Sequence, residues 1–149
     1  MKVMLVCSSG GHLTQLYRLR PWWQQHERIW VTAACEQADS LLEGEAVLPA
    51  FFPTTRNILN ALRNLRLAIR TVRAERPDVL VSDGAGVAVP FFLVGRFLGI
   101  HTVYLEVYDR ISRPTLTGRL CYPLTELFLL QWPEQAAIYP RGKVIGCLL

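Results

Sequence analysis

The chain has 149 residues, 51% of them hydrophobic and 19% charged, with a net charge of +4 at neutral pH. That length fits one ordinary domain with a substantial core, and the apolar content excludes a disordered chain. The charge is mild and comes mostly from arginine, which suits phosphates or an anionic membrane surface; no interleaving of basic and aromatic residues marks a nucleic-acid module, so no nucleic-acid partner is expected.

Strand-like and helix-like segments alternate along the chain. Residues 2–7 (KVMLVC) form an apolar run suited to a buried parallel strand. Leu13, Leu16, Tyr17, Leu19 and Trp23 predict a helix over 13–26, with Pro21 as its bend or end. RIWVTA (28–33) reads as a strand, EQADSLLEG (36–44) as a short helix closed by glycine, and AVLPA (46–50) as a third strand. The longest helix spans about 55–76, and DVLVS (78–82), HTVYLE (101–106), LFLLQ (127–131) and KVIG (143–146) complete the strands. Such βαβ units build a doubly wound, mostly parallel sheet with helices on both faces, a Rossmann-like α/β fold in a single domain over 1–149.

The stretch GAGVAVPFFLVGRFLGIHTVYL (84–105) is long and apolar, but Pro90, Arg96 and its glycines interrupt it. It reads as a buried helix followed by a buried strand, not a membrane span. The cysteines at 7, 35, 121 and 147 form no C-x-x-C pair, so no metal site is expected. Met1 opens directly into a strand, without a leader, which points to a cytoplasmic protein.

On the long helix, Ile58, Leu62, Leu65, Ile69 and Val72 have the spacing of a core-facing stripe. Arg63, Arg66, Arg70 and Arg73 form a second stripe, rotated by about 100°. It is either a solvated face or a basic edge for anionic headgroups.

Two glycine turns follow strands, where ligands of open parallel sheets bind. The first is Ser8-Ser9-Gly10-Gly11-His12 and the second Asp83-Gly84-Ala85-Gly86. Glycine brings backbone N–H groups close to a ligand, and a helix N-terminus behind them favours an anion. Ser9, Gly10, Gly11, Gly84 and Gly86 are thus candidate phosphate-binding residues, although the same glycines also suit plain tight turns. Neither turn fits a Walker A loop or G-x-G-x-x-G, so no nucleotide cofactor is expected. His12 sits on the first turn of a helix, whose N-terminus lowers a histidine's pKa and keeps a neutral base available. Glu106 ends a later strand and could orient a hydroxyl or act as a base, while Arg110 could pair with a phosphate.

SSGGHLTQL, SDGAGVAVPFFLVGRFLGIHTVYLE and SRPTLTGRLCYPLTELFLLQWPE together resemble the acceptor-side subunits of two-chain GT-B glycosyltransferases. That family includes the anchoring subunit of the dolichol-pathway N-acetylglucosaminyltransferase and the PssD-type proteins of exopolysaccharide synthesis. The pair of glycine turns is also similar to the N-terminal domain of MurG. The resemblance implies a domain that binds a lipid-linked sugar acceptor at the inner face of the cell membrane. It also implies a separate C-terminal-type GT-B partner carrying the UDP-sugar, and inverting transfer without a metal. His12 and Glu106 would then be catalytic, and Gly10, Gly11, Gly84, Gly86 and Arg110 would bind phosphate or substrate.

The family commonly has Glu-Ser where this chain has Glu106-Val107, and its eukaryotic members carry an N-terminal membrane helix. Membrane contact here is expected to be peripheral, through Trp22-Trp23 or Phe91-Phe92 with the arginine stripe, although core packing also suits these aromatics. The chain ends where a one-chain enzyme would enter its second domain, which implies an obligate partner. A non-catalytic recruiter of that partner, or a standalone Rossmann oxidoreductase, are the alternatives.

Overall fold

In the first strand, β1 (Lys2–Val6), alternate side chains enter different layers, as the two-residue repeat of a strand requires. Val3 and Leu5, with Cys7 beyond, pack on one face of the sheet with Leu13, Leu16, Trp23, Trp30 and Ala38. Met4 and Val6 pack on the other with Leu67, Ala68, Val72 and Phe91. Both layers are fully apolar at this strand, which is why KVMLVC reads as a continuous run.

The computed structural model describes residues 1–148. After β1 the order is α1 (Gly11–Tyr17), α2 (Arg20–Trp23), β2 (Glu27–Thr32), α3 (Glu36–Leu41), β3 (Val47–Pro49), α4 (Ile58–Glu75) and β4 (Val79–Ser82). Then come α5 (Ala88–Phe97), β5 (His101–Leu105), α6 (Leu116–Cys121), β6 (Leu127–Leu130) and β7 (Lys143–Val144), with 3-10 turns at Tyr122–Leu124 and Pro133–Ala137. The strands form one seven-stranded sheet in the order β3-β2-β1-β4-β5-β6-β7. Every pairing is parallel, so Met4 stands beside Ile29 on one side and Leu80 on the other. The doubly wound, Rossmann-like α/β fold expected from the sequence is the fold observed.

Three expectations are corrected. The helix predicted over 13–26 divides before its proline, and Pro21 instead occupies the first turn of α2, where its missing N–H costs no hydrogen bond. Trp23 is only 2% exposed, stacks edge-on against Trp30, and donates its indole N–H to the Leu16 carbonyl. Phe91 and Phe92 are fully buried. Trp23, Phe91 and Phe92 are therefore core residues with no surface to offer a membrane. Trp22 is half-buried against His26. It belongs to the layer on one face of the sheet, whereas α4 packs on the other.

The third correction concerns α4. Its buried residues are Asn60, Asn64, Leu67, Ala68, Thr71 and Val72, whereas Ile58 and Leu62 are 78% and 55% exposed. The asparagines turn inward because they hold the loop before the helix. Asn64 accepts from the Phe51 N–H and donates to the Phe51 carbonyl, both at 2.9 Å, and Asn60 donates to the Pro53 carbonyl at 2.9 Å. Anchoring the loop this way turns the apolar stripe off the sheet. At 100° per residue, Ile58, Leu62, Leu65 and Ile69 flank the buried face, and the four arginines lie beyond them.

Candidate functional site

The strand order reverses between β1 and β4, so the turns leaving these neighbours face each other at the carboxyl edge of the sheet. Gly10 takes φ +79° to enter α1, and Gly84 takes φ +120° after β4. A β-carbon on Gly84 would lie 2.9 Å from the Tyr104 hydroxyl and 3.2 Å from His12 Cε1. Glycine at 84 thus gives the histidine ring its seat. Gly86 has a different task, because a β-carbon there would meet Thr54 at 2.9 Å; it lets the loop before α4 close down on the site.

His12 Nδ1 lies 3.3 Å from Asp83 Oδ1, and the Asp83 side chain is wholly buried. Its other oxygen accepts from Gln15 Nε2 at 3.2 Å. Burial pushes the Asp83 carboxyl up to about 6, against the opposing pull of His12. For His12, burial pulls downward, but the Asp83 carboxylate beside it outweighs burial and the imidazole titrates above its usual range, although Nδ1 and Oδ1 face each other without hydrogen-bond geometry. The depressed pKa expected from the helix N-terminus is thereby corrected: a carboxylate in direct contact outweighs a partial dipole charge on so short a helix.

A cleft of about 190 Å³ opens beside this pair, lined by His12, Asp83, Tyr104, Asp109, Arg110 and Thr115 among others. The Tyr104 hydroxyl, beside Thr115, is buried without a hydrogen bond of good geometry. Arg110, Thr115 and Thr117 also line a larger hollow of about 820 Å³, so the two spaces share a wall.

The candidate residues do not all converge. His12, Gly84 and Arg110 line the cleft. Glu106 sits behind it, fully buried, with Oε1 accepting the Val107 N–H at 3.0 Å. Its other oxygen lies near the Tyr139 hydroxyl, over Gly118, where a β-carbon would stand 2.6 Å from it. Burial raises the Glu106 pKa. In this position the carboxylate holds the Val107 N–H, and Glu106 is not among the residues that line the cleft. Ser9 accepts at its carbonyl from the Ser8 hydroxyl. The Gly10 amide is already engaged, donating to Gln37 Oε1 at 2.6 Å while Gln37 Nε2 returns to the Gly10 carbonyl at 3.2 Å. Gly10 therefore contributes its conformation, and the expected phosphate cradle loses that N–H. Gly11 is exposed, with open space around it.

Three buried glutamines, none of them singled out by sequence reasoning, hold the site together. Gln15 Oε1 accepts from the Tyr108 N–H at 3.3 Å and from Gln131 Nε2 at 2.9 Å. Gln131 also donates to the Glu106 carbonyl at 2.9 Å. Gln135 Nε2 donates to the carbonyls of Val107 and Arg110 at 3.0 and 3.1 Å. The signals were present: Gln15 stands three residues after His12 on one helix face, and Gln131 and Gln135 bracket the Trp-Pro-Glu of the C-terminal motif.

Residues 44–148 match the family model described as "Oligosaccharide biosynthesis protein Alg14 like". The chain belongs to the Alg14-like family. Asp83, Glu106 and Arg110 fall inside the matched segment and His12 outside it. Similar proteins include the UDP-N-acetylglucosamine transferase subunit ALG14 of Debaryomyces hansenii, 24% identical over 99% of this chain and 76% of its own. The Schizosaccharomyces pombe protein of that name is 37% identical over 47% of this chain and 36% of its own, and the human one 26% over 64% and 46%. Among solved structures, Acinetobacter baumannii MurG superposes with a TM-score of 0.74 at 18% identity, covering 89% of this chain and 41% of its own. The S. aureus MnaA–UDP co-structure gives 0.79 at 15%, covering 99% and 45%. The Alg14-like chain thus spans less than half of each of these solved proteins, and the likeness to them shows the fold. Among the described residues, no helix is long and apolar enough to cross a membrane.

Proposed function

We propose that this Alg14-like chain is the acceptor-side subunit of a bipartite inverting glycosyltransferase, its residues 1–149 forming one GT-B N-terminal-type domain. The supporting observation is the His12–Asp83 pair at the mouth of a cleft that also holds Arg110. In this reading His12 carries its proton on Nδ1, 3.3 Å from Asp83 Oδ1, which leaves the Nε2 lone pair for the acceptor's hydroxyl proton. As that proton moves to Nε2, the hydroxyl oxygen bonds to the anomeric carbon from the face opposite the departing UDP, whose phosphate takes the bonding electrons. Asp83 then stabilises the imidazolium, a general-base contribution of about 10²–10⁴-fold. Glu106, buried behind the loop, serves as a positioning residue. Arg110 and the two glycine turns, at Gly11 and at Gly84, face the anionic group of a lipid-linked acceptor.

A second chain of C-terminal GT-B type supplies the UDP-sugar, with UDP-N-acetylglucosamine the donor suggested by the relatives' names. Membrane association is peripheral and runs through α4, where exposed arginines stand beside exposed Ile58, Leu59 and Leu62. It excludes Trp23, and with it a Trp22–Trp23 anchor.

The test is co-expression with the candidate partner, assaying transfer from UDP-N-acetylglucosamine and other UDP-sugars to lipid extracts. Transfer that needs both chains and collapses with His12→Ala supports the reading. Full activity of His12→Ala would leave the chain a non-catalytic recruiter, and no transfer with any partner would remove the reaction altogether.

A further inference from the structure

Tyr104, on β5, ends in a hydroxyl that the His12–Asp83 pair leaves unused. Its ring is held by two others: it stacks on Phe128 at 4.7 Å with the planes 17° apart, and Phe92 meets it edge-on at 5.9 Å. All three aromatics are buried, so the phenol is fixed in the direction that β5 gives it. That direction is the His12 cleft, which Tyr104 lines with His12, Gly84 and Thr115. The point above Gly84 that a β-carbon would occupy lies 2.9 Å from the Tyr104 hydroxyl and 3.2 Å from His12 Cε1, so the phenol and the imidazole edge share one corner. An unpartnered hydroxyl is costly in apolar surroundings, and this one has no hydrogen bond of good geometry. Thr115, beside it, turns its own oxygen to the Gly118 N–H at 2.9 Å to cap α6. Burial, helped by the Glu106 charge, pushes the Tyr104 pKa well above its ordinary range, so the phenol keeps its proton. The Glu106 and Asp83 carboxylates that act on it also disfavour a second anion in this corner. A rigid, protonated donor among carboxylates suits a neutral oxygen carried in by the ligand.

We propose that Tyr104 is a specificity residue: it donates its hydroxyl hydrogen to a second oxygen of the acceptor sugar, beside the hydroxyl that loses its proton to His12. The contact selects the sugar and sets the attacking oxygen at His12 Nε2. It rests on the reading of the chain as an acceptor-side subunit, and adds that the sugar itself, and not only its diphosphate, is recognised here. The shared corner over Gly84 carries the argument, because whatever His12 deprotonates lies next to the phenol.

The test titrates geranyl diphosphate-linked glucose and N-acetylglucosamine, each monodeoxy form of the tighter of the two, and inorganic diphosphate into the full chain, read by calorimetry. One monodeoxy form is expected to bind the wild-type chain about tenfold more weakly than its parent, since it leaves the phenol without a partner. Tyr104→Phe keeps the ring on Phe92 and Phe128 and is expected to have a urea midpoint no lower than wild type. It loses the same tenfold on the parent sugar and nothing further on that one monodeoxy form, the non-additivity of two groups in contact. Parent binding as tight in Tyr104→Phe as in wild type overturns the contact. So does an equal loss on the parent and every monodeoxy form, which would make the hydroxyl a packing element. A parallel loss of inorganic diphosphate binding overturns it as well, by placing the hydroxyl on phosphate. These three results leave the acceptor-side reading standing, whereas a wild-type chain that binds neither sugar probe removes that reading and the contact with it.

Discussion

Gln15 donates to Asp83 Oδ2 at 3.2 Å, which leaves Oδ1 facing the His12 imidazole at 3.3 Å. His12 and Gln15 stand three residues apart on α1, so a single helix face holds both oxygens of one carboxylate. Gln15 cannot flip its amide without facing the Tyr108 and Gln131 N–H groups with its own. Gln15→Leu is expected to strand a buried acceptor and cost about 1–3 kcal/mol, read as a lower urea midpoint. It also raises the Asp83 pKa further and weakens its hold on His12. The acid limb of the pH–rate profile then moves to lower pH in the mutant pair. An unmoved limb and midpoint together would remove Gln15 from this role.

His12 works as a base only when deprotonated. Its pKa is raised above 6.5, so transfer should fall as pH drops through a value higher than a free imidazole's. In Asp83→Asn the contact that raises it is gone, and the limb shifts down in pH while kcat falls by about tenfold or more. KM for the UDP-sugar is expected to stay put, because that substrate is assigned to the partner. A kinetic series from pH 5.5 to 8.5 checks both statements.

The same carboxyl sets a stability trend. Asp83 has a folded-state pKa of about 6 against 3.8 ordinarily, so the native chain holds a proton that the unfolded chain has released. Native stability from this group is full below pH 3.8 and declines as pH rises through about 6. Between pH 5 and 7.5 the loss is on the order of 1 kcal/mol. The raised pKa values of His12 and Glu106 act with the same sign. Asp83→Asn should therefore flatten the slope of denaturation midpoint against pH, whereas an unchanged slope would place the buried charge elsewhere.

The strands, their parallel pairing and both glycine turns were legible in the sequence because apolar runs and Gly-Gly or Gly-x-Gly punctuation report backbone needs directly. The α4 face was not. Periodicity counts Asn60 and Asn64 as outward, yet they are buried because they hydrogen-bond the backbone of the loop at Phe51–Pro53. Phe91 and Trp23 were equally ambiguous, since a core aromatic and a membrane aromatic look alike in one dimension. Asp83 was visible as a turn residue, but its pairing with His12 needed the crossover that brings β1 beside β4.

For membrane contact the two faces of the sheet make separable expectations. Arg66→Glu with Arg70→Glu should abolish sedimentation with anionic vesicles at low salt, at roughly 1 kcal/mol per charge removed, without shifting the urea midpoint by more than about 0.5 kcal/mol. Trp23→Ala should leave vesicle binding intact and cost about 3–5 kcal/mol of stability by opening a cavity against Trp30. The reverse pattern would put the membrane on the α2 side.

The loop at 107–110 is fastened from three directions, by Gln15, by Gln135 and by the Trp132 indole donating to the Tyr108 carbonyl at 2.6 Å. Its ordering entropy is therefore settled when the chain folds and not when a ligand arrives. A wall already rigid does not close over its guest, so exclusion of water during chemistry falls to whatever lies across the cleft. In the proposed two-chain enzyme, the fixed half-site would take its lid from the partner, and assembly itself would be the conformational step.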